Sequence, residues 1–216
     1  LRFIFIPETI GSIAYLSKNL NNLKSKVVAG YNLTCIGDNK RHSCLLSKYA
    51  NTQADICLLE AYKKLKIKFK KYSFLERGSD ERQFNSPGVD LPIASIFRSK
   101  FREYPEYHTS LDDFNLVNLK GLLGGYIVAK TAINFLLKKI IPVNLVICEP
   151  QMGKRGLYPM LSMKNNKHKL VTRNYMHFLQ YCDKKNDLEN IAKKLKINKK
   201  LSVKIYKILL SKKLII

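Results

Sequence analysis

Gly78-Ser79-Asp80-Glu81-Arg82-Gln83, then Leu91-Pro92-Ile93-Ala94-Ser95-Ile96-Phe97, then Tyr104-Pro105-Glu106-Tyr107-His108-Thr109-Ser110-Leu111-Asp112-Asp113: two loops dense in charged and aromatic groups bracket one short apolar run. The run from Leu91 to Phe97 has the length and composition of a single buried strand. A Pro-Gly turn at Pro87-Gly88 separates it from the acids and the arginine upstream. Polar loops on either side of one buried strand put their residues at neighbouring strand ends. In open α/β sheets that edge is where ligands bind.

Working outward, Arg2-Phe3-Ile4-Phe5-Ile6 is an apolar run stopped by Pro7, which predicts a buried strand of a parallel sheet. Ser12 to Leu20 follows with Ile13, Leu16 and Leu20 on one helical face. Glu8 then falls between a strand end and a helix N-terminus. Free N–H groups and the helix dipole stabilise a carboxylate there, and a general base would be held at such a place. Val27 to Ile36 is a second apolar run, and Gly37-Asp38-Asn39-Lys40 reads as a turn. Ser43 to Tyr49 predicts a short strand. Thr52 to Leu65 predicts an amphipathic helix with Thr52 as N-cap and Asp55 at the capping-box position. Ile67 to Phe74 predicts a half-exposed strand near a sheet edge, where its lysines discourage edge pairing. Leu116 to Ile140 predicts a long helix, in which the Gly124-Gly125 pair bends the axis or admits another backbone.

The segment Glu149-Pro150-Gln151-Met152-Gly153-Lys154-Arg155-Gly156-Leu157-Tyr158-Pro159 reads as either a linker or a functional flap. The Lys-Asn run at 164–169 marks a domain boundary. Beyond it, Val171–Tyr181, Leu188–Leu195 and Leu201–Leu210 predict three helices, and Lys213–Ile216 a strand. That order is the pattern of a winged helix-turn-helix.

A chain of 216 residues, 46% hydrophobic, buries a real core and holds one large domain plus a small one. Five cysteines with no CxxC pair read as reduced, mostly buried thiols of a cytoplasmic protein. No apolar run has the length of a membrane span, and no signal peptide is visible. The start on Leu1 reads as part of a longer protein. The formal net charge is +23, and residues 160–216 hold 15 Lys+Arg against 3 Asp+Glu. A basic tail invites a nucleic-acid reading. Leu201–Leu210, however, offers only Lys204 and Lys207 on its polar face, without the Arg, Asn or Gln that usually contact bases. The expectation is no sequence-specific DNA binding, and a protein-contacting role instead.

Taken as a set, Pro7-Glu8-Thr9 with Gly11-Ser12, Asn32-Leu33-Thr34-Cys35-Ile36-Gly37, Gly78-Ser79-Asp80 and Tyr107-His108-Thr109-Ser110-Leu111-Asp112 resemble zinc-dependent aminopeptidases of the co-catalytic metal type. Within them the chain is most similar to the bacterial polysaccharide biosynthesis proteins with an aminopeptidase-like domain. The 149–159 segment and the stretch Tyr175–Ile216 with Tyr181-Cys182-Asp183 carry the same resemblance. It implies an α/β fold with a mixed, mostly parallel sheet flanked by helices, as in zinc exopeptidases, and a small C-terminal winged-helix domain. Residues 1–160 would form the C-terminal part of the catalytic domain and 170–216 the winged helix.

The resemblance also implies roles. His108 would ligate zinc and Glu8 would take a proton from the zinc-bound water. Asp80 and Glu81 would orient His108 or receive a substrate amine, Arg82 and Arg155 would bind a substrate carboxylate, and Tyr107 would line the substrate surface. Thr9 and Thr34 stand where the family keeps two further ligands. At most one zinc is then expected, with donors from upstream of Leu1. The implied activity is hydrolysis of an amide or a peptide N-terminus. The alternative is an inactive peptidase-like scaffold with a winged-helix interaction or DNA-binding module. Expected partners are a peptide or amide substrate and a second copy through the winged helix, with neither membrane nor nucleic acid.

Overall fold

The structure, a computed structural model, describes residues 1–158 and 166–216, and over 166–172 the backbone alone. These residues form two compact units, Leu1–Lys138 and Lys139–Ile216. The second unit therefore begins well before the Lys-Asn run. Val143 bridges Asp183 and Asn144 bridges Ile215, which ties the segment after Lys139 to the C-terminal helices.

In the first unit the elements are α1 (Ile10–Lys26), β1 (Gly30–Leu33), β2 (Ser43–Leu45), α2 (Gln53–Leu65), β3 (Lys70–Tyr72), α3 (Glu81–Phe84), β4 (Ile93–Phe97) and α4 (Leu119–Lys138). The sheet order is β1-β4-β2-β3. β1 runs parallel to β4 and β2 parallel to β3, while β2 and β4 are antiparallel. The sheet is thus mixed, with both parallel pairs at its flanks and β4 buried along its whole length.

Side-chain alternation along β4 sends its residues to opposite faces. Ala94 and Ile96 join Leu58, Ala61, Tyr62, Val128, Ala129 and Ala132 in a core under α2 and α4. Ile93 joins Leu16, Leu23 and Leu91 in a second core under α1. Helices therefore cover both faces. Full burial of a side chain such as Leu58 contributes roughly 1.5–3 kcal/mol. α2 starts where its capping box places it: Asp55 accepts from the Thr52 amide at 2.9 Å and from the Thr52 hydroxyl at 2.7 Å. α4 turns Gly121, Gly125, Val128, Ala129 and Ala132 inward, and these small residues let it lie close to α2 and to the loop after β1. The close backbone approach is at Gly121, where an added Cβ would fall 1.9 Å from the Gly37 carbonyl oxygen. It is not at Gly124-Gly125, and α4 is continuous through that pair.

Several expected strands differ, and Ile67–Phe74 is a strand only over β3. Arg2–Ile6 is irregular and largely exposed, with Phe5 at 93% exposure, so it is no strand of this sheet. Ser43–Tyr49 is a strand only over β2. Lys213–Ile216 contributes the single bridge of Ile215 to Asn144.

The second unit holds α5 (Asn166–Gln180), α6 (Leu188–Lys194) and α7 (Lys199–Ser211). Its core is built from Met152, Phe178, Leu179, Ile191, Ile205, Leu209 and Leu214. α6 is capped by Asp187 and α7 by Asn198, each accepting from a backbone amide three residues on. No helix of the described residues is long and apolar enough to cross a membrane.

Candidate active-site surface

The carboxyl ends of β1 and β4 point the same way because the two strands are parallel. The ladder continues past them, the Thr34 amide donating to Ile96 and the Arg98 amide to Cys35. The expected site residues are best traced from this edge.

Glu81 is fully buried. One carboxylate oxygen accepts from the Gly78 and Ser79 amides at 2.8 and 3.0 Å, and the other from Asn32 Nδ2 and Ser95 Oγ at 3.1 and 3.0 Å. Four neutral donors fix it between the ends of β1, β4 and α3. It is therefore a structural clamp, with no oxygen left to meet a substrate amine. Asp80 is half-buried and accepts from the Thr9 amide at 2.8 Å and from Ser12 Oγ at 2.5 Å. It holds the first turn of α1. Arg82 Nη2 donates to Thr9 Oγ1 at 2.6 Å and lies 3.9 Å from Glu8 Oε1. Glu8 is exposed in the turn before α1, with no strand behind it.

Tyr107 and His108 sit in the long loop between β4 and α4. Their rings stack at 3.9 Å, and Tyr107 packs edge-on against Tyr104. His108 is exposed at a left-handed backbone position, φ 60°. Tyr107 leans on the cluster of Tyr72, Phe97 and Phe101 with Cys35. Burial raises the Tyr107 pKa first of all, with smaller contributions in the same direction from Cys35 and from the negative charge of Glu8. Burial also raises the Cys35 thiol, against the lowering effect of the Tyr104 hydroxyl, which donates to its sulfur at 3.6 Å. Arg155 lies in the other unit and donates to the Gln151 carbonyl at 2.9 Å. In the first unit Asp80 and Arg82 both meet Thr9, with Glu8 beside Arg82, and Tyr107 and His108 form a stacked pair of their own. Glu81 is buried, and Arg155 lies in the second unit.

A polar cluster at the same strand ends was not expected from the sequence. Asp38 is buried and accepts from the Ser99 amide and hydroxyl and from the Lys40 amide. Arg98 is buried and donates to the Asp38 carbonyl at 2.8 Å, to Asn39 Oδ1 at 2.9 Å and to His42 Nε2. Because arginine only donates, His42 Nε2 accepts and the ring is neutral. Burial, then the Arg98 charge, push the His42 pKa down to about 4. The available signal was a run of charged and polar residues, Arg98-Ser99-Lys100, directly after an apolar strand.

Residues 1–139 match the family described as domain of unknown function DUF4910, and residues 140–216 match a winged helix-turn-helix family. The chain belongs to the DUF4910 family. A Clostridium acetobutylicum protein named for polysaccharide biosynthesis and an aminopeptidase-like domain is 37% identical to it over 161 residues, which is 74% of this chain. A crystal structure of a protein from the same organism, named as a peptidase, superposes with a TM-score of 0.60 at 30% identity and covers 97% of this chain. An aminopeptidase from Aneurinibacillus sp. strain AM-1 aligns over 57% of this chain and 29% of its own length, at 16% identity and a TM-score of 0.48. The chain spans 37% and 46% of the two Clostridium relatives. The DUF4910 unit and its winged helix thus have the peptidase-like architecture for which those relatives are named.

Among the described residues the donors of this DUF4910 unit do not by themselves make up a zinc centre. Zinc takes about four ligands. Among the described residues no three His, Cys, Asp or Glu side chains stand together as a metal-holding group. Thr9 is committed to Asp80 and Arg82, Asp80 to α1, and Glu81 to its four donors. His108 remains as one imidazole against Tyr107.

Proposed function

We propose that the surface of Glu8, Arg82, Tyr107 and His108 is the peptide- or amide-binding face of an aminopeptidase-like fold, and that the described residues of this chain bind such a ligand without hydrolysing it. The observation behind this reading is the donor set: among the described residues no three His, Cys, Asp or Glu side chains stand together at His108 to hold a metal that would activate water. Glu8 supports the binding role. It is an exposed carboxylate suited to a protonated amine, and Tyr107 offers a partly buried ring to an apolar side chain. Arg82, already 3.9 Å from Glu8, keeps that carboxylate in place. The winged helix is a contact module in the same protein.

The test is a titration of the 216-residue chain with leucinamide and with N-acetyl-leucinamide, with and without added zinc, followed by calorimetry and product analysis. Binding of the free amine only, weakened by Glu8→Gln and unaccompanied by ammonia release, supports the proposal. Zinc retained one-to-one through dialysis, with leucinamide turnover lost in both Glu8→Gln and His108→Ala, would replace it with the zinc-hydrolase reading.

A further inference from the structure

α4 turns its small residues inward and several of its large apolar residues outward. Gly121, Gly125, Val128, Ala129 and Ala132 are buried, whereas Leu119, Leu123, Tyr126 and Leu137 are 71%, 46%, 53% and 66% exposed. A helix that is apolar on both sides is a helix buried on both. The outer residues are also ordered. Leu119, Leu123, Tyr126, Lys130, Ile133 and Leu137 follow one another at spacings of four, three, four, three and four. That alternation keeps one seam along a helix, the a/d pattern of a coiled coil. The seam runs for about 27 Å at 1.5 Å of rise per residue. Its one polar member is Lys130, whose ammonium lies 5.3 Å from the centre of the Tyr126 ring. A single lysine at an a position sets register and oligomeric state at a cost in stability.

The order of the spacings reads the same in both directions. The seam is therefore complementary to itself when a second copy runs antiparallel about a two-fold axis level with Val128. Leu119 then meets Leu137, Leu123 meets Ile133, and Tyr126 meets Lys130, so that each cation lies against an aromatic ring. A parallel pair would set Lys130 against Lys130. At the margins of the antiparallel pair Ile127 meets its own copy, and Lys120 falls beside Asn134 and not beside a lysine. The exposed parts of the large apolar residues on this face amount to on the order of 500 Å² per copy, counting a whole large side chain as roughly 150–250 Å². Two copies together reach the ~1,000 Å² that a specific interface needs.

We propose that α4 pairs with α4 of a second copy of this chain, antiparallel and two-fold symmetric, through the seam from Leu119 to Leu137. The attraction is apolar, because α4 has no acidic residue to offer an ion pair. The formal net charge of +23 on each chain opposes the association. Dimerisation therefore strengthens as salt screens that repulsion.

The experiment is sedimentation velocity on the full chain over a concentration series, at low and at high KCl. A monomer–dimer equilibrium that moves towards dimer with salt is expected. Tyr126→Lys sets a second ammonium against Lys130 of the other copy and should leave only monomer at the same concentrations. Tyr126 is exposed, so the variant should keep the native circular dichroism. The register is read by cross-linking in a Cys148→Ser background, which removes the exposed thiol. Leu119→Cys chains mixed with Leu137→Cys chains should give a disulfide-linked dimer on oxidation. Leu119→Cys chains alone should not, because their sulfurs lie at opposite ends of the seam. Monomer at every concentration would overturn the proposal, leaving α4 to be covered by the second unit or by a different chain. A dimer that persists in Tyr126→Lys, or cross-linking of Leu119→Cys chains alone, would overturn it as well.

Discussion

Asn32 Nδ2 donates to Glu81 Oε2 at 3.1 Å, joining the end of β1 to the start of α3 across 49 positions of sequence. Glu81 stands between Asp80 and Arg82 in the chain, so the clamp sets where those two residues stand. Glu81→Gln tests it. The amide nitrogen of glutamine would face either two backbone N–H groups or the donors of Asn32 and Ser95, and donor would meet donor. Leaving buried groups unsatisfied in this way costs about 1–3 kcal/mol. Urea unfolding should show the midpoint falling without a change of slope. A midpoint unmoved from the native one would mean that the carboxylate is not clamped as described.

His42 predicts a pH dependence. Its pKa is about 4 in the folded chain against an ordinary 6.5, held down first by burial and then by Arg98, with Asp38 opposing. Between those values the unfolded chain binds the proton and the folded chain does not. Stability from this group is therefore complete above about 6.5 and is lost as pH falls towards about 4. His42→Gln keeps an acceptor for Arg98 but does not titrate. The difference in stability between native and variant should shift progressively against the native chain over that window, and remain constant above it. A constant difference from pH 4 to 8 would contradict the neutral, half-buried imidazole.

The parts of this fold that local chemistry dictates are readable from the sequence, and the parts set by distant partners are not. The Leu91–Phe97 run is apolar throughout and becomes the fully buried β4. Thr52 and Asp55 form the capping box their spacing implies. Arg2–Ile6 has the same apolar character as β4, but a strand exists only where a neighbouring strand accepts its hydrogen bonds, and this segment remains largely exposed. Glu81 sits between Asp80 and Arg82 and reads as a group that orients His108 or receives a substrate amine. What buries it is Asn32 and Ser95, neither of them local. The Asp38, His42 and Arg98 cluster is likewise assembled from two turns that look ordinary one at a time. At α7 the cap is Asn198, two residues ahead of Lys200, where apolar spacing alone starts the helix only at Leu201.

Gly121 is a position where shape alone excludes a side chain. A Cβ there would overlap the Gly37 carbonyl oxygen and lie 2.5 Å from that of Asp38. Both are backbone atoms and cannot rotate away. Gly121→Ala should favour the helix by about 0.5–1 kcal/mol intrinsically and lose more than this by pushing α4 off the loop after β1. A net destabilisation of about 1–3 kcal/mol is expected. Gly88→Ala offers the contrast: no atom lies within 4 Å of its Cβ, and the cost there comes from its φ of +86° alone. Equal stability of Gly121→Ala and the native chain would show that α4 does not rest on this contact.

The last prediction concerns Asp80 and the docking of α1. The helix has no acidic residue in its first turn, and Thr9 at its N-cap makes no side-chain capping bond. Asp80 supplies the cap from 71 residues away, through the Thr9 amide and the Ser12 hydroxyl. A carboxylate at a helix N-terminus also meets the positive end of the dipole. Asp80→Ala should therefore cost about 1–2 kcal/mol, and Asp80→Asn less, because one oxygen remains to accept. The loss should be local. Leu16 and Leu23 still pack on Leu91 and Ile93, so fraying should start at Ile10 and spread inward. Hydrogen exchange would then rise first in residues 10–14, ahead of the β4 amides. Ser12→Ala combined with Asp80→Ala should cost less than the sum of the two alone, since both remove the same 2.5 Å bond. Strict additivity, or exchange rising in β4 as fast as in α1, would mean that Asp80 does not act through the first turn of α1.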